Sequence, residues 1–213
     1  MKGIITADVV GSTQMDIEVR NALPEILSEL TSSLRKISPL QLEMYRGDSF
    51  QVVIDNYEKS PLVAVLIRIG LMRHSCMANM RKLDARVSVG IGKVSHMADT
   101  IGKSDGEAFI LSGRAFDRLG KKRLVVVTPD EKLNDELAVY ESILDELLSD
   151  VSCARSRTIF THLLNPELTM EKIGHSLGMS KQAVSQAYSA TRVAIIDLVL
   201  KRMENVLANN FKR

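Results

Sequence analysis

Asp8 sits at the exit of an apolar, β-branched run, Lys2 to Val10, which ends at Gly11-Ser12-Thr13; Asp48 stands in Gly47-Asp48-Ser49, between the strand-like runs Leu40 to Arg46 and Phe50 to Asp55. Two carboxylates brought together repel unless a cation separates them, and a hard divalent ion carrying phosphate oxygens is the usual occupant of such a pair. The spacing predicts a helix soon after Gly11-Ser12-Thr13, whose first backbone N–H groups would cradle those oxygens. Residue types alone leave a plainer alternative, in which Asp8 caps a helix and Asp48 makes a turn.

A second chemistry lies at Leu168 to Ala190, LTMEKIGHSLGMSKQAVSQAYSA. Met170, Ile173 and Leu177 give the apolar face of a short helix capped by Thr169. Gly178 suits a left-handed turn residue, Met179 plugs the angle, and Ser180 caps a second helix buried through Val184 and Ala187. Gly174 costs helix stability that only a close helix–turn contact explains. Lys181, Gln182, Ser185, Gln186 and Ser189 then point outward, with Arg192 beyond them as a phosphate anchor. Amides, hydroxyls and a cation on one helix face are the groups that read base edges in a major groove, so DNA is the expected partner. The alternative is an ordinary helical hairpin with a solvated face.

Composition is that of a folded water-exposed protein, with 45% hydrophobic and 25% charged residues. Cys76 and Cys153 have no metal-ligand spacing and imply no disulfide framework, which fits a reducing cytoplasm. Asp8 interrupts the first apolar run and Arg68 the longest one, so neither a signal peptide nor a membrane span is expected. Residues 1–150 hold 19 Lys and Arg against 22 Asp and Glu, a balance of −3, whereas residues 151–213 hold 9 against 4, a balance of +5. The basic excess accompanies the segment expected to face phosphate.

The elements that must position these residues follow in order. After the first strand comes a helix over 16–37, with Ile17, Leu23, Ile26, Leu27, Leu30 and Leu34 on its apolar face. The hairpin through Asp48, a buried helix over 61–80 and a strand over 85–94 complete β-α-β-β-α-β, the split arrangement of a ferredoxin-like sheet. A helix over 107–119 and a strand over 123–128 extend it. In such a sheet the first strand lies beside the hairpin, which places Asp8 and Asp48 at one end. Beyond Pro129, Leu133, Leu137, Tyr140, Leu144 and Leu147 mark a connecting helix. The fold class is therefore α+β: a sheet domain over 1–128, a connecting helix over 129–150 and a C-terminal all-α helix-turn-helix domain over 151–213. The helix through Lys181 is expected to run on unbroken past Ala190. Its seam of Val193, Ile196, Leu200, Met203 and Leu207 needs a partner, either a second copy in a homodimer or the connecting helix of the same chain.

These residues resemble a known family. Asp8-Val9-Val10-Gly11-Ser12-Thr13 looks like the Asp-Ile-x-Gly-Ser/Phe-Thr motif of class III nucleotidyl cyclases. Arg46-Gly47-Asp48-Ser49-Phe50 resembles their Gly-Asp hairpin, Arg86 to Gly92 their following strand, and Gly106 to Leu119 the helix bearing a transition-state Asn and Arg. With the helix-turn-helix appended, the chain is similar to SatD-like bacterial proteins. The resemblance implies Mg²⁺ on Asp8 and Asp48, nucleoside triphosphate on Gly11, Ser12 and Thr13, and Arg114 as the family's arginine. It also implies weak catalysis. The family's Asn falls on Ile110 and its base-selecting Lys on Met44, and each lost donor costs about 10² to 10³ in rate. The expectation is a DNA-binding regulator that senses a nucleotide; the alternative is a cyclase or nucleotidyltransferase with a helical dimerisation tail.

Overall fold

The computed structural model describes residues 1–78 and 82–211, so the expected helix end at Asn79 and Met80 and the terminal Lys212 and Arg213 lie outside the described residues. Five strands, β1 (Lys2–Val9), β2 (Leu40–Arg46), β3 (Ser49–Ile54), β4 (Ala85–Gly92) and β5 (Leu124–Val127), form one sheet in the order β2-β3-β1-β4-β5. β1 is antiparallel to both β3 and β4, β2 is antiparallel to β3, and β5 runs parallel to β4. The β1 register pairs Asp8 with Ser49 on one side and with Arg86 on the other.

Alternation along the strands divides the helices between two faces. Ile5, Ala7 and Val9 of β1, with Ala85, Val87, Val89 and Ile91 of β4, enter the main core with α1 (Ile17–Leu34), α2 (Ser60–Met77) and α4 (Glu131–Ser149). The other face of β1 and β4 carries α3 (Glu107–Asp117). There Ser88 Oγ donates to the Ser112 carbonyl at 2.9 Å, and a Cβ on Gly90 would lie 2.3 Å from the Ala108 carbonyl oxygen. Small residues on that face of β4 are what let α3 lie against the backbone. Asp8 and Arg86 share parity with Thr6 and Ser88, so they sit on the α3 face.

α1 begins at Ile17 and stops at Leu34, shorter than its apolar pattern suggests, and Ile17 is 74% exposed rather than buried. The first residue of a helix has no preceding turn to pack beside it, so periodicity overstates its burial. In α2 the interruption at Arg68 is fully buried. Its guanidinium donates to both oxygens of Asp84, at 3.0 and 3.1 Å, and to Asp145 at 2.7 Å, and Arg123 closes the network on Asp84. α4 buries Leu133, Leu137, Leu144 and Leu148, with Glu141 occupying the same stripe. The Glu141 carboxylate accepts the Val126 N–H at 2.7 Å, capping a backbone donor of edge strand β5.

The C-terminal helices are α5 (Cys153–Leu164), α6 (Met170–Leu177), α7 (Lys181–Thr191) and α8 (Val193–Asn210). Ile159, Phe160 and Leu163 of α5 and the whole apolar seam of α8 belong to the same core cluster as the sheet. α8 runs antiparallel along α4, with Arg202 on Glu136 and Asn210 on Asp130. The seam Val193, Ile196, Leu200, Met203 and Leu207 is thus covered within the chain, which removes it as a reason for a homodimer. The expectation of one unbroken helix is also overturned. Arg192 adopts φ 52°, ψ 44°, the single positive-φ non-glycine among the described residues, and separates α7 from α8. Only that break lets α7 stay on α5 and α6 while α8 turns back onto α4.

Candidate functional site

At the end of β1 the hairpin tip is tied to the strand by the Val9 N–H, which donates to the Asp48 carbonyl at 3.1 Å. Asp8 and Asp48 therefore share one end of the sheet. Neither carboxylate stands open. Arg86 donates from Nε to Asp8 Oδ1 at 2.9 Å and from Nη2 to Oδ2, a bidentate pair that fixes the fork against the carboxylate plane. Its guanidinium lies 5.2 Å from the centre of the Phe116 ring of α3. The hydrogen bond to Asp8 pushes the Arg86 pKa up against the cost of burial, and the charges of Asp8 and Asp48 add to the rise. Ser12 Oγ donates to Asp48 Oδ2, and Ser49 Oγ donates to Oδ1 at 3.4 Å. Asp8 thus carries a cation from the chain itself, whereas Asp48 is held by two hydroxyls. Sequence reasoning treated Arg86 only as the start of a strand, because the register that sets it opposite Asp8 is not carried by spacing.

Among the described residues no group of three or more His, Cys, Asp or Glu is placed to hold a metal. Asp8 and Asp48 supply oxygen donors of the kind Mg²⁺ prefers, but the Asp8 oxygens are both engaged by Arg86. Gly11 takes a left-handed conformation, φ 72°, and opens a 3-10 turn over Ser12–Gln14 that contains Thr13; α1 starts only at Ile17. The helix start expected to cradle phosphate is therefore a short turn, pinned by Arg20 Nη2 donating to the Ser12 carbonyl at 2.6 Å. Arg114 is exposed on α3 and makes no hydrogen bond or ion pair among the described residues, so the structure does not join it to the carboxylates. Ile110, one turn earlier, is 46% exposed. Met44 packs against the main core, on the opposite side of β2 from Glu43 and Tyr45.

The second candidate surface is built by α6 and α7. Thr169 accepts the Lys172 N–H at 3.3 Å, and Ser180 accepts the Ala183 N–H at 3.1 Å, so both helices start on side-chain caps. Gly178 stops α6 at φ 67°, ψ 34°, and the Met179 N–H donates to the Gly174 carbonyl at 2.8 Å. A Cβ on Gly174 would stand 2.6 Å from the Met179 carbonyl oxygen, so the turn closes directly on the helix. Met179 is half-buried, its sulfur accepting from Thr158 of α5 at 3.7 Å. Ile173, Val184 and Ala187 are buried beneath, leaving Lys181, Gln182, Ser185, Gln186 and Ser189 exposed, with Arg192 exposed at the end of the helix. None of these six side chains has a hydrogen-bond or ion-pair partner among the described residues. Behind them, His162 of α5 meets Asp197 of α8 at 2.8 Å and packs 4.9 Å from the Tyr188 ring of α7, bracing three helices together.

No family model matches the chain, and no curated protein matches it either. Solved structures are similar over just over half its length. An adenylate/guanylate cyclase/hydrolase from Silicibacter pomeroyi is 21% identical, covering 55% of this chain and 68% of its own, with a TM-score of 0.43. The guanylyl cyclase Cya2 is 12% identical over 55% of this chain and 69% of its own, with a TM-score of 0.41. A bacterial light-regulated adenylyl cyclase is 13% identical over 59% and 74%, also with a TM-score of 0.41. No helix among the described residues is long and apolar enough to cross a membrane.

Proposed function

We propose that this chain is a DNA-binding regulator in which α6 and α7 act as a helix-turn-helix and a ferredoxin-like, cyclase-like sheet domain binds a nucleotide. The observation that carries this reading is the row Lys181, Gln182, Ser185, Gln186 and Ser189: polar groups on one face of a helix whose other face is buried, all without hydrogen-bond or ion-pair partners among the described residues. α7 enters the major groove, Lys181 and Gln182 at its start approach base edges, and Arg192 meets phosphate. The division into residues 1–128, 129–150 and 151–213, the order of the SatD-like arrangement, gives the sheet domain the sensing role. A cytoplasmic location and two copies on a two-fold DNA site belong to the same proposal. A gel-shift selection over genomic fragments tests it: affinity falls with rising salt, and Lys181→Ala with Gln182→Ala weakens the best fragment at least tenfold. Equal binding by the double variant overturns the assignment.

A second reading, an enzyme of the cyclase class, is favoured by the meeting of Asp8 and Asp48 at one sheet end. Asp8 and Asp48 would hold Mg²⁺, and the ion would neutralise them together with the phosphates of a bound nucleoside triphosphate. For this chain's own groups the step required is the release of Asp8 by Arg86, whose fork matches phosphate oxygens as well as it matches a carboxylate. Ser12 orients Asp48, and the Gly11–Gln14 turn lies alongside. Cyclic product formed above background by the wild type and lost in Asp48→Asn would establish this reading over the sensor.

A further inference from the structure

A cavity of about 540 Å³ opens on the opposite face of the sheet end from the Asp8–Arg86 pair, between the chain after β1, the entries to β4 and β5, and the last turns of α4. That volume lies within the range of small-molecule sites. Val10, Met15, Val19 and Leu83 give it an apolar wall. Its charges sort into two groups. Asp84 and Asp145 face the cavity, but both are neutralised by Arg68 and Arg123. Lys82, Lys121 and Asp16 also line it, and none of the three has an ion-pair partner among the described residues. Among the described residues Lys82 Nζ donates to the Ser149 carbonyl, at 3.3 Å. Burial holds this amine below its ordinary range; Asp84 opposes that, while the like charges of Arg123 and Arg68 deepen it.

We propose that this cavity is a binding site for a nucleoside monophosphate, separate from the carboxylate pair. Two amines that lack a carboxylate partner take the phosphate, the wall of Met15, Val19 and Leu83 takes the flat face of the base, and the Asp16 carboxylate accepts from a ring or exocyclic N–H. A free phosphate satisfies only the first of these contacts. The position is also informative. Asp145 and Ser149 lie in the last turns of α4, directly before Val151 and the Ser152 cap of α5, so an occupant touches both the sheet domain and the chain leading to α6 and α7.

Calorimetric titration of the full-length protein with AMP, GMP, CMP and UMP, and with inorganic phosphate as the ring-free control, tests the assignment. At least one monophosphate binds at least tenfold more tightly than phosphate. Lys82→Met with Lys121→Met, both at exposed positions, lowers that affinity at least tenfold, and Met15→Trp, which fills the apolar wall, does the same. Chelation of divalent cations by EDTA leaves it unchanged. Absence of binding by all four monophosphates at millimolar concentration, equal binding of phosphate alone, unchanged affinity in the lysine and Met15 variants, or loss of binding in EDTA would each overturn it.

Discussion

The carboxylate cluster at the end of β1 and the outer face of α7 are both polar surfaces, yet their hydrogen-bonding states are opposite. Asp8 and Asp48 are each engaged, by Arg86, Ser12 and Ser49. The outward side chains of α7 make no hydrogen bond or ion pair among the described residues, although caps at both helix starts and a closed turn hold the helix that carries them. A cluster whose partners come from its own chain supports the fold and must be opened before it can serve a ligand. A fixed row without partners is already available to one. Substitutions in the internally paired regions should therefore cost stability, and substitutions in the unpaired row should cost only binding.

The largest effect is expected at the most completely paired group. Arg68→Met leaves Asp84 and Asp145 without their shared cation in a buried setting, and should lower unfolding free energy by about 3–5 kcal/mol in urea denaturation. A loss under 1 kcal/mol would mean that Arg123 alone suffices.

Glu141 comes next, because its hydrogen-bond partner among the described residues is a neutral backbone donor. Burial pushes its carboxyl up to about 7 from an ordinary 4.5, the Val126 N–H opposing the rise. A raised acid is protonated in the folded state first, so its contribution is complete below pH 4.5 and is lost as pH rises through about 7. The decline is on the order of 3 kcal/mol. Glu141→Gln keeps an acceptor for Val126 without the charge. It should flatten that decline and raise the denaturation midpoint at pH 8 while leaving it nearly unchanged near pH 4; a wild-type-like decline in the variant would assign the pH dependence to another group.

At Arg86 the comparison is sharpened rather than broken. The pair with Asp8 is partly exposed, so Arg86→Ala should cost only about 1 kcal/mol. It should also leave two carboxylates in need of a cation, so millimolar Mg²⁺ should raise the variant's melting temperature more than the wild type's. Equal responses to Mg²⁺ would show that Asp8 and Asp48 do not compete for a metal. The smallest effect on stability belongs to α7: Lys181→Ala with Gln182→Ala should stay within about 0.5 kcal/mol of wild type by the same denaturation assay.

What was legible in the chain depended on whether the constraint was local. Gly174 and Gly178 announced the α6–α7 turn because a close backbone approach and a left-handed residue leave glycine as their mark. The meeting of Asp8 and Asp48 followed from strand order, since β1 beside the hairpin leaves their end positions no other arrangement. Arg192 left no such mark, because an arginine in the left-handed region looks like any helix residue until α8 is seen turning onto α4. Arg68 read as an interruption whose reason lay at Asp84 and Asp145, the latter 77 residues away. Arg86 and Glu141 were invisible for the same reason. Their partners lie across a strand pair and on another element, and neither periodicity nor spacing encodes that. The placing of α3 on the second face was readable in hindsight, from Ser88, Gly90 and Gly92 alternating with Val87, Val89 and Ile91.

Amide hydrogen exchange on the full-length chain, with and without the selected DNA fragment, tests the central claim most directly. Engagement through α7 predicts new protection over 180–192, with little change at the β1 end and at the Asp48 hairpin. Unchanged exchange over 180–192 while the protein stays on DNA would contradict it, and would move the contact to another surface.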